Sequence, residues 1–85
     1  MMRHTHKIHP DDQYIIREIG TRLRYLRQAR GESLAAVSER AGVSPMTLSS
    51  FERGENIPTL PLVTALCRAN GTTLWDIVLC EREES

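Results

Sequence analysis

A chain of 85 residues is long enough for one folded domain, because a chain this short buries only about 60% of its unfolded surface. It is 40% hydrophobic and 26% charged with four aromatic residues, which favours a helical core of aliphatic side chains over a sandwich or barrel. A roomy enzyme cleft is not expected in a domain of this size.

The 11 basic and 11 acidic residues cancel overall, but they are unevenly placed. Residues 1–54 hold nine Lys or Arg against six Asp or Glu, a net +3, whereas residues 55–85 hold two against five, a net −3. Every basic residue from Arg17 onward is arginine, which suits bidentate contacts with phosphate and guanine. We therefore expect any polyanionic partner to bind the first part of the chain.

No run of residues approaches the ~18 consecutive apolar residues of a membrane span, and the N-terminus lacks a secretory signal. Cys67 and Cys80 lie in apolar segments without metal-ligand spacing, and we expect both to be small core residues. The sequence thus predicts a cytoplasmic protein with no cofactor and no membrane contact.

Residues 1–11 show no apolar periodicity and are expected to form a mobile tail. The histidines in it, His4, His6 and His9, have irregular spacing, so they are expected to be solvated and no metal site is predicted. The folded domain is expected over 12–80, followed by an acidic, frayed tail at 81–85.

Five helices are predicted within this domain. The first, near 12–30, rests on apolar residues at helical spacing and ends at Gly31. These residues are Ile15, Ile16, Ile19, Leu23 and Leu26. A short second helix follows the N-cap Ser33, places Leu34, Val37 and Ala41 inward, and ends at Gly42.

The third helix starts at Pro45 after the N-cap Ser44 and runs to Arg53. Thr59 caps a fourth helix, which closes at Asn70-Gly71, with an apolar face of Leu60, Val63, Leu66 and Cys67. Thr73 and Asp76 resemble a capping box that opens a fifth helix through Leu79, with Leu74, Ile77 and Val78 toward the core.

The second and third helices are too short to be stable alone, so the other helices must hold them at a fixed angle, as in a helix-turn-helix. Val43 is placed to fill the turn, and Leu48 and Phe51 anchor the third helix inward. The opposite face is slim enough to enter a DNA major groove. It consists of Pro45, Met46, Ser49, Ser50 and Arg53.

The stretch from Ile19 to Val78 resembles the Cro/cI-type (lambda-repressor-like) helix-turn-helix regulators of bacteria and phages. The segment AGVSPMTLSSFERG, followed by Pro58, carries the resemblance most strongly. It implies an all-α, five-helix domain with the helix-turn-helix at helices two and three, and a sequence-specific DNA-binding transcriptional regulator. The predicted partner is double-stranded DNA, with no small-molecule ligand, no catalytic residue and no enzyme activity.

The resemblance also implies roles for particular residues. Base-reading positions fall on Pro45, Met46 and Ser50, and contacts with the DNA backbone on Ser49, Arg53 and Asn56. Thr47 joins them because it lies at the anion-attracting end of the third helix. The resemblance further implies a structural ion pair between Arg27 and Glu52 that orients this helix.

Three departures from the family pattern keep a second function open. Leu34 stands where the family usually has a phosphate-binding Gln, and Glu32 replaces a residue that is commonly apolar. The third helix also lacks Gln, Asn and Arg in its first two turns, so strong bidentate base contacts are absent from it. The alternative is a protein-interaction module on the same fold with weak or lost DNA binding.

Two further groups of residues have open roles. Trp75 and Leu79 are left over once the fifth helix buries its inner face, and they predict a homodimer interface; packing against the chain's own first helix or N-terminal segment is the alternative. Four arginines of the first helix form either a phosphate-facing patch or a solvated face with one structural ion pair. They are Arg22, Arg24, Arg27 and Arg30.

Overall fold

The computed structural model describes residues 9–83, and side chains up to residue 79. The predictions of a mobile tail for residues 1–8 with His4 and His6, and those for the side chains of Cys80 and the acidic tail, lie outside the described residues. Five α-helices and no strand occur in the described part of the chain. They are α1 (Pro10–Ala29), α2 (Leu34–Ala41), α3 (Pro45–Glu52), α4 (Leu60–Ala69) and α5 (Leu74–Glu83). The predicted all-helical class is confirmed.

Hydroxyl caps start four of the helices where the sequence predicts them. The side chains of Ser33, Ser44 and Thr59 accept hydrogen bonds from the backbone N–H groups of Ala36, Thr47 and Leu62 at 3.0, 3.1 and 3.3 Å. Thr73 accepts in the same way from Asp76 at 3.1 Å. Each cap satisfies a backbone donor that the first turn leaves without a helical partner.

Two helix ends differ from the prediction. The first helix begins at Pro10 rather than near residue 12, because His9 acts as its N-cap and its Nδ1 accepts from the Asp11 N–H at 3.0 Å. Proline fits this first position, where its missing N–H has no helical partner in any case. The fifth helix continues past Leu79 to Glu83, into the segment that was expected to be a frayed tail.

One hydrophobic core joins all five helices. α3 packs against α1 and α2, α2 packs against α4, and α5 closes the bundle against α4 and α1. Nine apolar residues are buried in it: Leu23, Val37, Leu48, Phe51, Val63, Leu66, Cys67, Ala69 and Ile77. Because α3 contributes two side chains with no exposed area, Leu48 and Phe51, it is anchored on its inner side.

Three apolar residues that were placed on buried faces are exposed. Leu60, at 64% exposure, is the first residue of α4. Ile15 and Val78 face each other across an open groove between α1 and α5 instead of a closed core. The helical period gives the direction of a side chain, but not whether another element covers it.

None of the helices within residues 9–83 is both long enough and apolar enough to cross a bilayer.

Candidate nucleic-acid interface

The face of α3 opposite the core is open. Met46 is 76% exposed, and Pro45, Arg53 and Asn56 are also exposed. Thr47, Ser49 and Ser50 are half-buried on the flanks of the helix. The structure thus places the seven predicted contact residues along one short helix and the loop after it, with no other part of the described chain covering the outer face.

The start of α3 is held together by two hydroxyl groups. The Ser44 hydroxyl accepts from the Thr47 N–H at 3.1 Å and donates to the Thr47 hydroxyl at 2.9 Å. Thr47 is therefore part of the N-terminal cap of α3. Its hydroxyl keeps one proton to donate and one further lone pair.

Arg53, at the end of α3, is held by two neighbours. Its Nε and Nη2 donate to the two carboxylate oxygens of Glu55 at 2.9 and 3.0 Å, and its Nη1 donates to the Ser49 hydroxyl. The hydrogen bond from Arg53 lowers the pKa of Glu55, and the same bond raises the pKa of Arg53. The predicted phosphate contact is thus already paired with a carboxylate of its own chain.

Sequence reasoning missed the role of Glu55. The signal was present, since an acidic residue two positions after Arg53, across Gly54, is within reach of the guanidinium. Gly54 has a φ of +69°, a left-handed conformation that reverses the chain after α3 and returns Glu55 toward Arg53.

On the core side of α3, the predicted ion pair of Arg27 and Glu52 fixes the orientation of the helix. The Nε and Nη2 of Arg27 donate to the two carboxylate oxygens at 2.8 and 2.9 Å, a bidentate contact between α1 and α3. The two side chains are only 11% and 4% exposed. A third donor, Nη1, reaches the backbone oxygen of Glu32 at 3.0 Å, so Arg27 joins three segments of the chain. The bond to Glu52 raises the pKa of Arg27.

Gly20 provides the second contact behind α3, and sequence reasoning did not identify it. A Cβ placed there would be 2.3 Å from the backbone oxygen of Phe51, so only glycine permits this approach of α1 to α3. A glycine within a helix costs about 1 kcal/mol relative to alanine, and that cost was the available signal of a packing requirement.

Glu32 proves to be a polar junction. One of its carboxylate oxygens lies 2.7 Å from Arg40 and 3.3 Å from Arg30, and the hydrogen bond from Arg40 lowers the pKa of Glu32. Arg40 also donates to the backbone oxygen of Ala69, and Arg30 donates to that of Asn70, at the end of α4. These arginines satisfy carbonyls that the last turn of α4 leaves open.

Two of the four arginines considered in the sequence analysis are therefore structural, and one of them, Arg30, is the C-cap of α1. Arg27 and Arg30 are engaged with Glu52, Glu32 and the end of α4, in agreement with the non-phosphate interpretation for at least two of them. Arg24 is exposed and Arg22 is half-buried.

The other open surface lies between α1 and α5. Trp75 and Leu79 are 75% and 58% exposed, so α1 leaves most of their surface open. The alternative of packing against the N-terminal segment lies outside the described residues, which begin at residue 9. Beside Trp75 and Leu79 is a groove of about 470 Å³ with an apolar lining. Its lining residues are Tyr14, Ile15, Glu18, Ile19, Arg22, Ile77 and Val78. Among the side chains of residues 9–79 there is no group of three or more His, Cys, Asp or Glu that could hold a metal ion.

Comparison with known proteins agrees with this architecture. Residues 18–76 match the family model described as a helix-turn-helix domain. The chain is 38% identical over 63 residues to the HTH-type transcriptional regulator SutR of Escherichia coli, covering 74% of this chain and 29% of SutR. It is 41% identical over 56 residues to the transcriptional regulator ClgR of Mycobacterium tuberculosis, covering 65% of this chain and 50% of ClgR.

The solved structure of the clp gene regulator ClgR from Corynebacterium glutamicum superposes with a TM-score of 0.71 at 31% identity, over 76% of this chain and 69% of that one. The chain spans 29% of SutR and 50% of ClgR from Mycobacterium tuberculosis, so the similarity concerns only part of each of these relatives. A family model that covers residues 18–76, together with these relatives, establishes the family. The chain belongs to the helix-turn-helix domain family, among the Cro/cI-type (XRE-like) proteins.

Proposed function

We propose that this protein is a sequence-specific DNA-binding transcriptional regulator that inserts α3 into the major groove. The supporting observation is the contrast between the two faces of α3. Leu48 and Phe51 have no exposed area, whereas Met46 on the other face is 76% exposed. A helix held rigidly on one side and open on the other is what a groove-reading element requires.

The proposed contacts divide into two groups. Pro45, Met46 and Ser50 face base edges, where Met46 contacts a thymine methyl and Ser50 hydrogen-bonds a base or phosphate. Thr47, Ser49, Arg53 and Asn56 contact the DNA backbone and set the register of the helix. The relatives named as transcriptional regulators support DNA as the partner. Action in the cytoplasm is part of the same proposal.

Homodimerisation is the second part of the proposal. Trp75 and Leu79 lie on α5 as an exposed aromatic and aliphatic pair beside an apolar groove, and such residues often anchor interfaces. A symmetric dimer would place its two copies of α3 about 34 Å apart, on adjacent turns of one side of the duplex.

The test is selection of bound duplexes from a random DNA pool, followed by titration of the selected duplex at about 50 mM salt, where phosphate contacts are strongest. We expect an enriched site with two-fold symmetry and half-sites one helical turn apart. Absence of binding to any duplex at this salt concentration would rule out the proposal.

A second candidate function is a protein-interaction module on the same fold. Two observations favour it: the charge of Arg53 is already balanced by Glu55, and Leu34 packs against the core where the family has a phosphate-binding Gln. The substitution Arg53→Glu separates the two candidates. It should abolish DNA binding under the first proposal and leave partner binding unchanged under the second.

A further inference from the structure

Glu55 stands in a position unlike that of the other acidic residues near α3. Glu52 is buried behind the helix on Arg27, but Glu55 is 55% exposed and lies on the same side as Arg53. Its two carboxylate oxygens accept hydrogen bonds from Nε and Nη2 of that arginine. A guanidinium binds a phosphate group in the same bidentate geometry.

A guanidinium has five N–H donors, and the contacts with Glu55 and Ser49 engage one on each of its nitrogens. Two donors remain for another acceptor. A phosphate that approaches Arg53 thus meets a side chain with most of its donors engaged and its charge balanced by a carboxylate.

We propose that Glu55 competes with DNA phosphate for Arg53 and thereby limits the affinity and the salt dependence of DNA binding. The inference rests on the proposed function, because it concerns the same helix and the same partner. Binding to DNA then requires Arg53 to exchange the carboxylate for a phosphate, or to hold both with its remaining donors. Either route weakens the contribution of Arg53 relative to a free arginine.

The pair is solvent-exposed, so the exchange is small in energy and responsive to salt. Replacement of Glu55 by Gln removes the charge and keeps the size of the side chain. Stability should change little, because the hydrogen bond that Glu55 makes to Ser50 uses its backbone N–H. The variant thus separates an effect on binding from an effect on folding.

The experiment measures the dissociation constants of four proteins for one random-sequence duplex of about 30 base pairs, over a range of salt concentrations. The proteins are the unmodified chain, Glu55→Gln, Arg53→Gln and the double variant. Asp76→Asn on α5 is the charge-matched control, since it makes the same change in net charge on a helix that packs against α4 and α1.

We expect Glu55→Gln to bind about threefold to fivefold more tightly than Asp76→Asn, as the loss of one exposed competing charge implies. Its plot of log affinity against log salt should be steeper by about 0.9, the value for one additional phosphate contact. The loss of DNA affinity caused by Arg53→Gln should be larger when residue 55 is Gln than when it is Glu.

If Arg53→Gln lowers DNA affinity equally with Glu and with Gln at residue 55, the proposal is overturned, because Glu55 would then act only as a distant charge. A larger loss when Glu55 is present would also overturn it, since Glu55 would then orient Arg53 for DNA. If the unmodified chain and every variant fail to bind at about 50 mM salt, the proposed function fails and this inference fails with it. If the unmodified chain binds DNA and Glu55→Gln does not change its affinity, the inference about Glu55 is refuted while the proposed function stands.

Discussion

Gly20 of α1 lies directly against the backbone oxygen of Phe51 in α3, at a separation that leaves no room for a methyl group. This contact sets the distance between the two helices. It acts together with the ion pair of Arg27 and Glu52, which fixes their rotation. The placement of α3 therefore depends on one steric and one electrostatic contact in addition to the burial of Leu48 and Phe51.

The substitution Gly20→Ala should destabilise the fold although alanine is the better helix former. The new Cβ would be 2.3 Å from the Phe51 oxygen, and relief requires α3 to move away from α1. Overpacking of this kind typically costs about 1–3 kcal/mol. Urea unfolding followed by circular dichroism measures it. Thr21→Ala at the adjacent exposed position is the control, and equal stability of the two variants would contradict the steric role of Gly20.

Glu52→Gln should destabilise the protein by about 3 kcal/mol, since it leaves the charge of Arg27 in a poorly solvated place. Replacement of both partners by apolar residues, Arg27→Met with Glu52→Leu, should recover much of this loss because no unpaired charge remains. Thermal unfolding of the unmodified chain and the two variants tests this. A double variant less stable than Glu52→Gln would argue against the reasoning.

Acid should remove the contribution of Glu32 to the stability of the folded protein. Its pKa is lowered in the folded protein by the hydrogen bond from Arg40, relative to the ordinary value of 4.5. A lowered pKa means that the stabilisation is complete well above pH 4.5 and is lost as the pH falls below it. The difference in the free energy of unfolding between the unmodified chain and Glu32→Gln should thus shrink between about pH 7 and about pH 3. A constant difference would show that the charge of Glu32 is not involved.

Arg53 and Met46 should affect DNA binding in different ways. Arg53→Gln should weaken binding to the selected duplex and to random DNA by similar factors, because the proposed contact of Arg53 is with phosphate. It should also make the salt dependence of binding less steep. Met46→Ala should weaken binding only to sites with thymine at the contacted position, and by less than the roughly 1–3 kcal/mol of a bidentate hydrogen-bonded base contact. Fluorescence anisotropy with paired duplexes distinguishes these patterns. A uniform loss on Met46→Ala would exclude a base contact.

Trp75→Ala with Leu79→Ala should shift a dimer toward monomer without loss of helical structure, because both side chains are exposed in the single chain. Sedimentation equilibrium gives the change in association constant, and circular dichroism checks the fold. Leu60→Ala, at an equally exposed apolar position on α4, is the control. If the unmodified chain is monomeric at every concentration, this surface is not a dimer interface.

The sequence by itself determined the helix order, the hydroxyl caps and the anchoring of α3 by Leu48 and Phe51. These features depend on residues within one or two turns of each other, so spacing and cap chemistry are sufficient to predict them. The resemblance to a known family added the partner of Arg27, a contact between residues 25 positions apart.

Only the tertiary structure decided how the helices meet. It showed that Gly20 carries the approach of α1 to α3, that Arg40 closes the end of α4 from 29 residues away, and that Ile15 and Val78 line an open groove. It also paired Arg53 with Glu55, because the turn at Gly54 brings the two together. Such contacts depend on the crossing distances and angles of packed helices, which a hydrophobic pattern does not specify.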